Sequence, residues 1–193
     1  MKIGNFFFKY RSYTPIPLAA IILYNAQLAN AYVVLGLLCI ILGELIRFWA
    51  VSYAGGITRT TTVGAATLCT AGPFAHTRNP LYIVNMLMYN GIVLIAGANN
   101  IYAMLMLTWL FFIIQYFLII HLEEQTLTRI FGTQYINYTK NVPRLFPRLF
   151  RWKSDDVRQP MTFLNTLNTE KRTLQNIVVF LIIIYIRHQI LER

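Results

Sequence analysis

The chain has 193 residues, of which 56% are hydrophobic and 12% charged, and its formal charge is +10. A soluble domain of this size would leave much of that apolar surface in water, whereas a bilayer removes the difficulty. The positive charge would suit a polynucleotide, but it sits between apolar runs and in the tail. That placement fits a protein facing an anionic leaflet, with no nucleic-acid partner.

Crossing the hydrocarbon core takes about 20 residues of helix, each rising about 1.5 Å. Taken in chain order, the first candidate runs from Pro15 to about Gln27 and is short enough to borrow from the preceding Phe6–Tyr13 stretch. Lys2, Lys9 and Arg11 precede it and no cleavage site is evident after it, so no cleavable signal peptide is expected. The second candidate, Asn30 to about Ala54, is unambiguous. The third follows Pro80, from Leu81 to about Ala96, and the fourth runs from Ile101 to about Leu122. Only Gly97-Ala98-Asn99-Asn100 separates these two, a helical-hairpin turn. A fifth candidate, Leu174 to Ile186, is brief, and its pattern suits either a crossing or an interfacial helix. The expected fold is an all-α, polytopic integral membrane bundle of about five membrane segments. It forms a single domain over residues 1–193, with a core of about 43–147 and a tail over 148–193.

Charges in the connecting segments set the expected orientation. Lys2, Lys9 and Arg11 lie in the N-terminal arm, Arg59 and Arg78 in the second loop. Arg129, Lys140, Arg144, Arg148, Arg151 and Lys153 follow the fourth segment, while Ala26–Asn30 and Gly97–Asn100 carry no charge. Positive loops favour the cytoplasm, so the N-terminus, the second loop and the long tail are expected there. Cys39 and Cys69 have neither the spacing of a metal site nor that of a disulfide framework.

The residues able to do chemistry fall on the same side. Glu123 and Glu124 stand together where the fourth segment ends. Two readings remain open for them: a marker of the membrane exit, or carboxylates that accept hydrogen bonds or a proton. A second cluster, His76-Thr77-Arg78-Asn79-Pro80-Leu81-Tyr82, opens the third segment. Pro80 suits a helix start, whose free N–H groups and partial positive charge attract a carboxylate or phosphate, and Arg78 adds a forked donor. Tyr82, Asn85 and Tyr89 recur at three and four residues, so they share one face. Glue between helices and contact with a ligand are equally compatible with that stripe. Glu44 and Arg47 have the spacing of a helical ion pair.

Together, Gly72-Pro73-Phe74, Arg78-Asn79-Pro80-Leu81-Tyr82, the hairpin ending at Glu123-Glu124, Phe131-Gly132, Tyr135, Tyr138 and Val142-Pro143-Arg144-Leu145-Phe146-Pro147 form an ordered set. In this order the stretch from Leu68 to Pro147 resembles the isoprenylcysteine carboxyl methyltransferase and phospholipid methyltransferase superfamily. The resemblance implies a cofactor, S-adenosyl-L-methionine, held at the cytosolic interface. Its shell would comprise Leu68, Phe74, Asn79, Pro80, Leu81, Tyr82 and Glu123, with Arg78 at the edge. Glu123, Glu124 and Arg78 would serve catalysis, and Asn85, Tyr89, Gln115 and Ile119 would meet a lipid-like substrate. One departure bears on that substrate. Ile119 stands where members that methylate prenylcysteine carry an arginine, so a carboxylate acceptor would lack its cation. Membrane sterol and steroid reductases that use NADPH share a similar Arg-x-Pro-x-Tyr segment, and a non-catalytic scaffold of the same fold is the third reading.

Overall fold

The computed structural model of the chain describes residues 2–27, 30–56 and 60–191, and among these no strand occurs. Arg59 and Arg193 lie outside the described residues. The described helices are α1 (Lys2–Tyr10), α2 (Ile16–Tyr24), α3 (Asn30–Ala54), α4 (Pro80–Ala96), α5 (Ile101–Phe131), α6 (Thr133–Asn141) and α7 (Phe163–Leu191). Three of them, α3, α5 and α7, are long and apolar enough to cross a bilayer, and α4 is a shorter apolar helix of 17 residues. The protein is an integral membrane helical bundle.

The first expected segment departs from the prediction. It does not form one crossing helix: residues 11–15 make a turn between α1 and α2, and α2 has only nine residues, about 14 Å of rise. Pro15 and Pro17 explain the break, because each lacks the N–H that a helix continuing from α1 would donate. The two pieces nevertheless reach from one end of the bundle to the other. Gly4 packs against the Leu118 carbonyl and the Leu122 side chain, while the Gln27 N–H donates to the Ala96 carbonyl at 3.0 Å.

The last segment is longer than expected. α7 spans 29 residues, with Glu170 bonded to Arg47 of α3 near one end and His188 Nε2 3.0 Å from the Ala96 carbonyl near the other. It therefore runs the length of the bundle. Its first turns are polar, from Asn165 to Thr173, which is why an apolar run marks only its second half.

α3 and α4 make the closest helix pair. A β-carbon on Gly91 would lie 2.5 Å from the Gly36 carbonyl oxygen, and one on Gly36 would lie 2.7 Å from the Gly91 oxygen. Small residues let backbones approach where dispersion, rather than water exclusion, drives packing. The outward faces of α3, α5 and α7 leave Leu38, Ile41, Leu45, Ile113, Phe117 and Ile182 exposed, apolar surface that lipid covers.

α5 ends the bundle at the basic face. Its 31 residues rise about 46 Å, against about 30 Å of hydrocarbon, so a helix entering at Ile101 leaves the core near Leu122. Asn100 starts it by accepting a hydrogen bond from the Ala103 N–H at 3.0 Å. Gly132, at φ +51°, turns the chain into α6.

Candidate functional site

Two sequence-distant pieces meet at the basic face. Pro80 occupies the first position of α4, and the Asn79 side chain makes no capping bond there, leaving the first-turn N–H groups uncapped by it. The Tyr82 hydroxyl donates to Glu123 Oε2 at 2.8 Å, and Arg78 Nη2 donates to Glu124 Oε1 at 2.7 Å. The adjacent glutamates thus have different partners. Glu124 is held by Arg78 and by Arg144, whose Nε donates to Oε1 at 3.0 Å and whose Nη2 reaches Oε2. Glu123 faces Tyr82, with Arg11 acting on it through space.

Arg78 is almost entirely engaged by its own chain. Its Nη1 donates to the Thr139 and Val142 carbonyls, both at 3.0 Å, and its backbone N–H donates to Pro143 at 2.9 Å. The buried Nε alone has no partner. Asn79 Nδ2 donates to the Arg144 carbonyl at 2.9 Å. Arg78 and Asn79 therefore bind the segment after α6 onto the start of α4.

The other side chains singled out from the sequence frame this junction. Gly72 bends the loop at φ +57°, and a β-carbon there would strike the Tyr53 ring at 2.5 Å. The 3-10 helix Gly72–Ala75 that follows brings the Phe74 carbonyl to the Tyr138 hydroxyl, which donates at 2.7 Å. Leu68 is buried in a small core with Tyr135, Tyr138 and Val142. Burial pushes both of these tyrosine hydroxyls well above their usual range, so they remain protonated donors. Pro80 is buried and Leu81 half-buried beside it.

Deeper in the bundle, Asn85 Oδ1 accepts from Arg47 Nη1 at 2.7 Å, and Arg47 Nε meets Glu170 Oε2 at 2.6 Å. The Tyr82 ring lies 4.5 Å from that of Tyr116, and the Tyr89 ring 4.6 Å from that of Phe112. Gln115 accepts from the Thr14 hydroxyl at 2.8 Å, and Ile119 is fully buried. Asn85, Tyr89, Gln115 and Ile119 thus all face inward and pack within the bundle.

A model of the phospholipid methyltransferase family matches residues 31–134, more than half of the chain. The chain belongs to the phospholipid methyltransferase family. Within this family assignment, the matched region contains both Arg78–Tyr82 and Glu123–Glu124. The chain is also similar to the nickel-cobalt-cadmium resistance protein NccN of Alcaligenes xylosoxydans xylosoxydans, 27% identical over 157 residues, covering 81% of this chain and 67% of that protein. It is 29% identical over 121 residues to the cobalt-zinc-cadmium resistance protein CzcN of Cupriavidus metallidurans, covering 63% and 51%. The chain thus spans about two thirds of the first relative and half of the second. No solved structure matches it.

Two residues near this junction were not singled out from the sequence. Arg11, counted there only as a loop charge, bonds the Thr60 carbonyl at 2.8 Å and lies over the Phe8 ring beside Glu123. Glu170 fixes Arg47 from the far end of the chain. Its signal was available: it is a carboxylate in a strongly basic tail, four residues before an apolar run.

Proposed function

We propose that this protein transfers a methyl group from S-adenosyl-L-methionine to the polar head of a membrane-embedded amphiphile, at the face formed by Arg78–Tyr82 and Glu123. The observation that carries the reading is the Tyr82–Glu123 hydrogen bond of 2.8 Å beside the Arg78–Glu124 bond of 2.7 Å, which joins the two halves of the motif. The family assignment supports a membrane methyltransferase; the cofactor, the acceptor and each residue's role are this reading's own.

The donor set suits that cofactor. An uncapped helix start and the unpartnered Arg78 Nε fit a carboxylate, while Glu123 fits ribose hydroxyls or a positive centre. Leu68, Phe74, Asn79, Pro80, Leu81 and Tyr82 would complete the shell. When bound, S-adenosyl-L-methionine supplies a methyl already activated by its sulfonium, so the protein's task is alignment and exclusion of water.

Each side chain then has a definite duty. The Tyr82 hydroxyl orients the Glu123 carboxylate by donating to Oε2. Glu123 accepts the proton that an amine acceptor must lose before its nitrogen attacks. Glu124 and Arg144 are positioning residues that, with the Nη groups of Arg78, hold the α4 start closed against the segment after α6. Asn85, Tyr89, Gln115 and Ile119 wall the site on its membrane side. Because Ile119 brings no cation, an amine headgroup suits the site better than a carboxylate. The reading places the site and the N-terminus at the cytoplasmic surface, following the basic loops. It rests on the methyltransferase family and not on the metal-resistance names of the relatives.

The test is to incubate membranes containing the protein with radiolabelled S-adenosyl-L-methionine and extract lipids and proteins separately. Label is expected in the lipid fraction and lost with Glu123→Gln. Label confined to protein, or equal label with Glu123→Gln, would contradict the reading.

A further inference from the structure

The segment after α6 contains a tandem repeat: Pro143-Arg144-Leu145-Phe146 is followed at once by Pro147-Arg148-Leu149-Phe150. Its backbone is tied down. The Arg144 carbonyl accepts from Thr77 and Asn79, the Leu145 carbonyl accepts from Thr77 at 3.0 Å, and the Arg148 N–H donates to the His76 carbonyl at 3.0 Å. Trp152 N–H closes the run on Ala75 at 3.0 Å. The apolar side chains, in contrast, point away from the protein. Phe146 is 88% exposed, Leu149 90% and Phe150 80%.

Three such side chains standing together in water would be anomalous on a segment so firmly bonded. Depth offers the explanation. Arg144 bonds Glu124, one turn at most beyond the point where α5 leaves the hydrocarbon, so the repeat sits level with the lipid headgroups. Charge agrees: between Glu124 and Asp155 there are six basic residues, Arg129, Lys140, Arg144, Arg148, Arg151 and Lys153, and no acidic one.

We propose that this repeat is a lipid-docking lip, in which Phe146, Leu149 and Phe150 insert into an anionic leaflet while Arg151, Lys153 and their neighbours meet its phosphates. Apolar side chains of interfacial segments reach about 5–10 Å into the boundary of headgroups and acyl chains, and basic residues beside them select anionic lipid. The backbone can lie close to that depth because the Arg144 and Leu145 carbonyls and the Arg148 and Trp152 N–H groups are bonded to Ala75–Asn79 instead of water. The inference stands apart from the proposed methyl transfer, since it requires only the surface and the bilayer.

The test uses the full chain with Cys39→Ala and Cys69→Ala, reconstituted in nanodiscs of phosphatidylcholine or of phosphatidylcholine with phosphatidylglycerol. Phe146→Cys, Leu149→Cys and Phe150→Cys each carry a polarity-sensitive fluorophore, with the exposed Asp155→Cys as reference. Bromines on the acyl chains should quench the three lip positions more than the reference, and more strongly with the anionic lipid. High salt should reduce that preference. Quenching no greater than at Asp155→Cys in both bilayers would overturn the proposal, and so would equal quenching with and without phosphatidylglycerol. Labels that are shielded without acyl-chain quenching, in particles that cross-link as dimers, would assign the face to a second copy and likewise overturn it.

Discussion

The division of labour between two adjacent glutamates is decided by which cations surround each. Glu124 lies between Arg78, whose side chain is 10% exposed, and Arg144, at 46%. Glu124→Gln leaves both guanidiniums without their counter-charge, in a setting between a surface pair and a buried one. A loss of about 2 kcal/mol is expected, read as a fall in the melting temperature of the detergent-purified protein. Tyr82→Phe keeps the ring against Tyr116 but takes the donor from Glu123, so that temperature should fall by a similar amount, corresponding to about 1.5–3 kcal/mol. Cys69 offers a pH test in the adjoining loop. Burial raises its thiol above the usual range, with Arg158 opposing. Less thiolate is then present at neutral pH, so in a Cys39→Ala background alkylation should be slower than for an exposed thiol. The rate should catch up as pH rises, and unfolding should abolish the difference.

At the level of helices, two contacts organise the bundle. The glycine contact between α3 and α4 leaves no room for a methyl group at Gly91, because the nearest atom is a backbone oxygen 2.5 Å away. Gly91→Ala should therefore lower the melting temperature clearly, whereas Gly56→Ala, where a β-carbon meets nothing within 4 Å, should not. The second contact is the ion pair of Arg47 and Glu170, with Glu170 fully buried, which pins α7 to α3. Removing one partner strands a buried charge, so Glu170→Gln should cost about 3–5 kcal/mol. The double variant Arg47→Met with Glu170→Leu should recover much of that loss, as a thermal melt of the three variants would establish.

For the molecule as a whole, the sequence revealed the order of the helices and the junction of α4 with α5 better than the paths of the two ends. The long apolar runs and the uncharged hairpin at Gly97–Asn100 mark α3, α4 and α5 directly, and Pro80 marks where α4 begins. Pro15 and Pro17 broke the first crossing into two helices, and polar first turns concealed half of α7. In the site, the Arg-Asn-Pro-Leu-Tyr segment and the glutamate pair were legible because each is compact in sequence. The choice of Glu123 for Tyr82 and Glu124 for Arg78 was not, since it depends on how α5 is rotated against α4. Arg11, Glu170 and the bonds from Arg78 to Thr139 and Val142 were hidden for a similar reason: they join residues 49 to 123 positions apart, or engage backbone carbonyls that carry no sequence signal.

The central claim is that the Tyr82–Glu123 junction holds an S-adenosyl nucleoside. Calorimetry of the purified protein with S-adenosylhomocysteine and, separately, NADPH tests it most directly. Binding of S-adenosylhomocysteine is predicted, weakened about tenfold by Tyr82→Phe through loss of a hydrogen bond to a charged group, and further by Glu123→Gln. Binding of NADPH alone, or S-adenosylhomocysteine affinity unchanged in both variants, would contradict it.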